Sequence, residues 1–362
     1  MKQKREFAFT LVELLVVVSI IALLVSILLP SLQQARDQAK QVKCLAHQSG
    51  LAKAAITYTT EENDWLPGSP GTTGSMLLGK NWGAANAVDV PRNAVQIYDW
   101  MGSLAGVQMS FSLPANRVER WKQLVEGAFV CPSNRYVAPS WGGTDPQQLF
   151  PNQKLISYNM MRNMIWWENS ADAPSFPANS GVVMHRNIPD ASQLPTGYAP
   201  KLNRLGTPAE KVFISDGSRF TKLENESDLN SKVILDYDAD WKAGYGGAFS
   251  DGGPTVQSQY TRSFRLNEPS KFFAYRHRKG RKTGGASQGK LDKSNGLVVS
   301  YWDGHGEWMT AAKSRLPDRW WPKGTKIGFL DLNTRTIDAL ADSAGAGLMS
   351  LFDSNNQYVI RR

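Results

Sequence analysis

The residues able to do chemistry in this chain are few and far apart. Among 362 residues there are two cysteines, Cys44 and Cys131, and four histidines. Two cysteines exclude a disulfide-rich scaffold and a zinc site built from cysteine alone. Four histidines leave little for a histidine-based metal centre or a catalytic triad. Neither His47 nor Asp64 has an assignable supporting role beside Cys44 as a nucleophile. The expectation is no catalytic residue and no metal centre. Asp236, Asp238 and Asp240 carry the spacing of the first three ligands of a calcium loop. Trp241 stands where that loop needs glycine and Gly247 where it needs glutamate, so it is not an EF-hand; a looser calcium site is the one cofactor alternative left open.

One acid stands in an unusual place. Phe9 to Leu29 is a run of 21 positions, of which 17 are apolar; the exceptions are Thr10, Glu13, Ser19 and Ser26. As a helix it would be about 31 Å long, matching a bilayer core of roughly 30 Å. A carboxylate inside a membrane segment is costly and marks a functional position by default. The span holds no cation for Glu13, so a positive partner must come from processing or from another subunit. Lys2, Lys4 and Arg5 precede the run, and Pro30-Ser31-Leu32 follows it in place of a small-residue signal cleavage site. Charge on the two sides is too even to orient the span.

The helical pattern continues past the membrane. Leu32, Ala35, Ala39, Val42, Ala46, Ser49, Ala52 and Ile56 recur at spacings of three and four, with polar residues between them. Pro30 removes one backbone donor and crowds the preceding turn, so either a kinked continuous helix or two helices hinged there fits. Asn63, Asp64, Pro67 and Gly68 end the element.

These N-terminal residues carry a resemblance. Ala8-Phe9-Thr10-Leu11-Val12-Glu13-Leu14-Leu15 is similar to the processing motif of type IV pilins and type II secretion pseudopilins. The resemblance implies cleavage by a prepilin peptidase between Ala8 and Phe9, with Ala8 in place of the usual glycine, and N-methylation of Phe9. It implies that Glu13 pairs with the free amine of a neighbouring subunit during filament assembly, and that Pro30 is the proline often found in such helices. It also sets the leader in the cytoplasm and the body in the periplasm, as a single-pass protein of the inner membrane, with other pilin or pseudopilin subunits and membrane lipid as partners. The implied organisation is a leader over 1–8, a transmembrane helix over 9–29, an amphipathic continuation over 30–62 and a globular domain over 63–362.

A narrower resemblance is to a pseudopilin-like group common in planctomycete-type bacteria, which carries an H-X9-DG element. It rests on Cys44-Leu45-Ala46-His47-Gln48, Cys131-Pro132-Ser133-Asn134, Ser157-Tyr158-Asn159-Met160, Ser215-Asp216-Gly217 and Trp320-Trp321-Pro322-Lys323-Gly324-Thr325. His277 and Asp303-Gly304 resemble the H-X9-DG element itself, although 25 residues separate them here. An enlarged hairpin loop would account for the excess and let His277 and Asp303 meet across neighbouring strands. Asp303-Gly304-His305-Gly306 also reads simply as a tight turn. In the oxidising compartment implied, a disulfide between Cys44 and Cys131 and a pair of buried thiols are both open.

The remaining composition is that of a folded body. Apolar types are 41% and charged types 20%, which excludes wholesale disorder. The net charge of +9 is modest over this length and does not demand a nucleic-acid partner. Strands are expected at Lys211–Ser215, Lys232–Leu235, Lys271–Tyr275, Gly296–Tyr301 and Tyr358–Ile360, and short helices at Arg120–Glu126 and Thr336–Ala346. The fold expected is α+β: a pilin-like long N-terminal helix packed on an antiparallel β-sheet with large loops.

Two surface features suggest a rival function, a pilus-borne module for polysaccharide or DNA. Arg276, Arg278, Lys279, Arg281 and Lys282 form a candidate anion-binding loop. No aromatic residue is interleaved among them as a single-strand platform requires, so nucleic acid is not expected. Trp166-Trp167 and Trp320-Trp321 would each expose one ring if they lay in strands.

Overall fold

The computed structural model describes residues 10–69, 100–101, 104, 127–134, 157–165, 192–217, 221–223, 233–235, 250–251, 255, 277–278 and 295–361. Helix α1 runs unbroken over Leu11–Glu61, 51 residues, or about 77 Å at 1.5 Å per residue. Thr10 starts it with a capping box. The Thr10 Oγ1 accepts from the Glu13 N–H at 3.2 Å, and a Glu13 carboxylate oxygen accepts from the Thr10 N–H at 2.9 Å. Pro30 lies inside the helix, so one continuous element is found and not a hinged pair. The end comes at Asn63 and Asp64, both in the left-handed region with φ of 51° and 68°. Asn and Asp tolerate that conformation better than other side-chain-bearing residues.

The two halves of α1 have opposite surroundings. Every side chain from Leu11 to Leu29 is exposed, with Leu11 at 78% and Leu23 at 63%. The buried positions are Cys44, Gln48, Leu51, Ala52, Ala55, Tyr58 and Thr59. The stripe that apolar spacing predicts docks in part: Ala52 is buried and Ser49 and Ile56 are half-buried, while Val42 and Ala46 face outward and the docked line runs beside them through Cys44 and Gln48.

The body is built on a mostly antiparallel sheet. Its strands are β1 (Tyr158–Met161), β3 (Val212–Asp216), β6 (Ser250–Asp251), β7 (His277–Arg278), β8 (Asn295–Tyr301) and β9 (Gly306–Thr310). The order is β6-β1-β3-β8-β7, with β9 pairing the other side of β8; only the β1–β6 pair is parallel. Two small sheets join β11 (Gln357–Val359), β10 (Lys326–Gly328) and β2 (Ser192–Gln193), and β4 (Thr221–Leu223) with β5 (Val233–Leu235). Helix α1 packs on β3, β8 and β9. The α+β, pilin-like arrangement expected from the sequence is therefore present.

Four of the five expected strands are found close to their expected bounds. The fifth, Lys271–Tyr275, lies outside the described residues, as does the helix expected at Arg120–Glu126. The second helix, α2, is Thr334–Ala344, two residues earlier than expected. Asn333 sets its start by accepting from the Thr336 N–H at 3.0 Å.

Aromatic packing fills the far side of the sheet. Phe213 sits where the β3–β8 register shifts, and its ring meets Trp302 at 4.5 Å and Trp100 at 5.6 Å. Trp100 in turn meets Phe129 edge-on at 5.6 Å. Trp320 and Trp321 are both buried, and their indole N–H groups donate to Ser314 O and Thr255 Oγ1. Neither ring is presented to solvent: the pair lies in no strand, so the condition for an exposed ring is not met and both rings pack in the core. Trp166-Trp167 lies outside the described residues.

Lys211 holds this tryptophan segment to the sheet. It is fully buried, and its Nζ donates to Asp318 O at 2.6 Å and Trp321 O at 2.7 Å. Burial pushes its pKa down to about 8. A neutral amine still carries two N–H donors, enough for both carbonyls. Lys211→Met should cost about 1–3 kcal/mol at pH 7, because two buried carbonyls lose their partner. Between pH 8 and 10.5 the unfolded lysine holds a proton that the folded one has released, so this residue's contribution to stability rises with pH. Denaturant unfolding of the two proteins over that range should show the gap widening.

Candidate functional site

Four side chains from four distant segments meet beneath α1. Cys44 comes from the helix, Cys131 from the turn at 127–134, Asp216 from the last position of β3 and His277 from the first of β7. Their potential ligand atoms all lie within 4.8 Å of one another. Relative exposure is 0% for the first three and 3% for His277.

The sheet brings Asp216 and His277 together. On one side of β8, β3 occupies the line opposite Val299 to Tyr301 and β7 the line opposite Asn295 and Gly296. Between them Asp216 takes over from the backbone: its Oδ2 accepts from the Val298 N–H at 2.9 Å. His277 Nε2 then lies 3.2 Å from the same Oδ2. Gly296 contributes by having no side chain. A Cβ there would stand 2.4 Å from the Trp308 ring and 2.5 Å from Met309 O. The Trp308 indole N–H uses that space to donate to His277 O at 3.0 Å.

Cys131 is set by a turn tied to β1. Asn134 N donates to Cys131 O at 2.9 Å, Ser157 N donates to Phe129 O at 2.9 Å, and Asn134 Nδ2 donates to Ser157 Oγ at 2.9 Å. Its Sγ comes to 3.5 Å from His277 Nε2. Cys44 Sγ lies 3.3 Å from Asp216 Oδ1 and accepts from the Tyr158 hydroxyl at 3.4 Å. Gln48, one turn further along α1, donates through Nε2 to Val298 O at 3.1 Å and to Asp216 Oδ1 at 3.4 Å.

The electrostatics follow from burial. Desolvation, then Cys131 and the negative field of Asp216, push the Cys44 thiol well up. Desolvation alone would push His277 down, but its contacts with Asp216 and Cys131 outweigh that and raise it to about 9. The two shifts share one source: a buried carboxylate close to both the imidazole and the thiol.

A nucleophilic relay does not fit this arrangement. Such a relay needs the nucleophile on one imidazole nitrogen and the orienting carboxylate on the other. Here Cys131 and Asp216 both approach Nε2. In this structure Cys44 and Cys131 are two free, buried cysteines.

The His277–Asp303 pairing is not found. His277 sits at one end of β8 and Asp303 beyond the other, roughly 20 Å along the strand at 3.3 Å per residue. The hairpin between β7 and β8 is present, but its geometry sends His277 to Asp216. Asp303 instead accepts from the His305 N–H at 3.1 Å within an exposed turn. That turn is a docking point for α1. Ser49 Oγ donates to Gly304 O at 2.7 Å, and Gly304, at φ +90°, lies against Lys53 and Ile56.

The other sequence-derived positions are dispersed. Glu13 is exposed on α1 with its carboxylate accepting from the Thr10 hydroxyl at 2.7 Å. Pro30 is in the same helix. Ala8, Phe9, the side chains of the 276–282 basic loop and the Asp236–Asp240 stretch lie outside the described residues. Sequence reasoning missed Asp216, Gln48 and Tyr158 as site residues. All three stood in segments singled out only for resemblance, and the scarcity of cysteine and histidine was the one signal that could have joined them.

A family model, the prokaryotic N-terminal methylation motif, matches residues 3–29. No curated protein and no solved structure matches the chain.

Gln48→Leu should detach the helix from the sheet edge locally. It leaves Val298 O and Asp216 short of a donor at a buried position, a cost of about 1–3 kcal/mol. Chemical denaturation of the detergent-solubilised protein should show a lower midpoint; an unchanged midpoint would mean Gln48 is not a structural tie.

Proposed function

From a chain whose N-terminus is that of a type IV pilin-like or pseudopilin precursor, we propose that it serves as a minor pilin or pseudopilin. It is a single-pass subunit of the inner membrane, processed by prepilin peptidase and packed helix to helix into a short filament of a secretion or pilus-like system. The body is periplasmic, and the role is mechanical, not enzymatic. One observation carries the reading: α1 is continuous, yet its first nineteen residues are wholly exposed and apolar in character while its last five turns or so, from Cys44 on, have one face embedded in the body. A helix of that kind needs an apolar solvent for one half and a folded domain for the other.

Glu13 has a defined place in this reading. Its carboxylate already accepts two hydrogen bonds from Thr10, but hydrogen bonds alone do not neutralise a charge in hydrocarbon. An amine exposed by cleavage before Phe9 supplies the missing charge when presented by a neighbouring subunit. The sugar- or DNA-binding alternative loses one of its supports, since Trp320 and Trp321 are buried.

Intact-mass and N-terminal analysis of membrane-extracted protein should find a chain beginning at methylated Phe9. Glu13→Gln should still be cut but should enter filaments poorly, read as loss of crosslinked oligomers. A leader retained in assembled protein would overturn the proposal.

A further inference from the structure

The Cys44, Cys131, Asp216 and His277 cluster has the composition of a metal centre, and we propose that it is a closed, structural zinc site. Four segments each supply one ligand: two thiolates, one imidazole and one carboxylate. Four-coordinate zinc with bonds of about 2.0–2.3 Å places its ligand atoms about 3.3–3.8 Å apart in a tetrahedron. Cys131 Sγ to His277 Nε2 at 3.5 Å falls in that window, and Asp216 lies at its edge through either oxygen, Oδ1 at 3.3 Å from Cys44 Sγ and Oδ2 at 3.2 Å from His277 Nε2. All ligand atoms lie within 4.8 Å of one another, so a small contraction completes the shell.

The surroundings are those of an anionic complex. Two thiolates, a carboxylate and a neutral imidazole around a divalent cation carry one net negative charge. Hydrogen-bond donors face the anionic ligands. Tyr158 Oη and Gln48 Nε2 point to Cys44 Sγ at 3.4 and 3.8 Å, and Val298 N and Gln48 Nε2 point to the Asp216 carboxylate. Outer donors of this kind orient and steady metal ligands. The soft thiolates select zinc over calcium or magnesium, which want oxygen alone. Full burial leaves no open position for substrate, so the role is to hold α1 to the sheet and to the 127–134 turn.

Binding balances as an exchange of protons for metal. The cysteines bind as thiolates and His277 through a neutral imidazole nitrogen, so whatever protons these groups carry pass to solvent as the cation enters. No oxidant is involved. The inference is independent of the pilin-like reading, because it concerns the body and not the N-terminal motif.

The test uses the reduced, detergent-solubilised full chain, stripped with a chelator and titrated with Co²⁺, then Zn²⁺. The expected result is a sulfur-to-cobalt charge-transfer band and the intense visible bands of tetrahedral cobalt, saturating at about one equivalent and bleached by zinc. Zinc should also raise the unfolding temperature by several degrees. Cys44→Ser and Cys131→Ser should each weaken or abolish the charge-transfer band, and Asp216→Asn should shift the visible bands. The wild-type spectrum decides by itself if a variant fails to fold. A folded, reduced wild type with no sulfur-to-cobalt band overturns the proposal, as does a band unchanged in both cysteine variants. So does protein isolated from the membrane with a Cys44–Cys131 disulfide, seen as a mass two hydrogens short.

Discussion

The structure turns on a carboxylate that has no access to water. Asp216 ends β3, and a buried charge is tolerated only when it is paired and hydrogen-bonded. Its oxygens take a backbone N–H from β8, a side-chain amide from α1, and a close imidazole from β7. Each partner belongs to a different element. Satisfying one acid therefore fixes the register of β3 against β8, the start of β7 and the rotation of the helix. Apolar contacts alone would leave that rotation loosely set, since a row of Ala and Leu packs nearly as well one position round.

This explains why the docked face of α1 differs from the one its apolar residues trace. Hydrophobic spacing finds a line that docks at Ala52 and Ile56 but runs out to solvent at Val42 and Ala46, because it discounts polar types. The buried line includes Cys44, Gln48 and Thr59, and it is set by what Cys44 and Gln48 meet in the body, Asp216 and Val298 O. The extent of the helix was legible, because apolar periodicity and the Asn63-Asp64 terminus are local signals. So were the strands at 212–216, 295–301 and 357–359, where β-branched and aromatic residues cluster. The site was not legible, because its members are separated by 87, 85 and 61 positions, and nothing local pairs them. His277 was joined on resemblance to Asp303, a partner it does not meet. Only the placement of β3 and β7 end to end along β8 shows its neighbour to be Asp216.

The N-terminal half of the helix obeys a different physics from the rest. Its capping box satisfies the first backbone donors, and Ser19, Ser26 and Ser31 turn their hydroxyls back onto Val16, Leu23 and Leu28 carbonyls. Every polar group so arranged is bonded within the helix itself, which is the condition for residence in hydrocarbon. The soluble half instead sends Ser49 and Gln48 across to the body. Hydroxyls that close on their own helix in the apolar half thus have counterparts, Ser49 and Gln48, that serve attachment in the docked half.

The spread of the four clustered residues along the chain has a kinetic corollary. His277 is the last of them to be synthesised, and closing a contact with Cys44 means closing a loop of more than two hundred residues. Helix and early strands can form sooner, but the bolt between them cannot be thrown until part of the final third of the polypeptide has been made and paired. Completion of this cluster is thus a built-in sign that the newborn chain has finished folding.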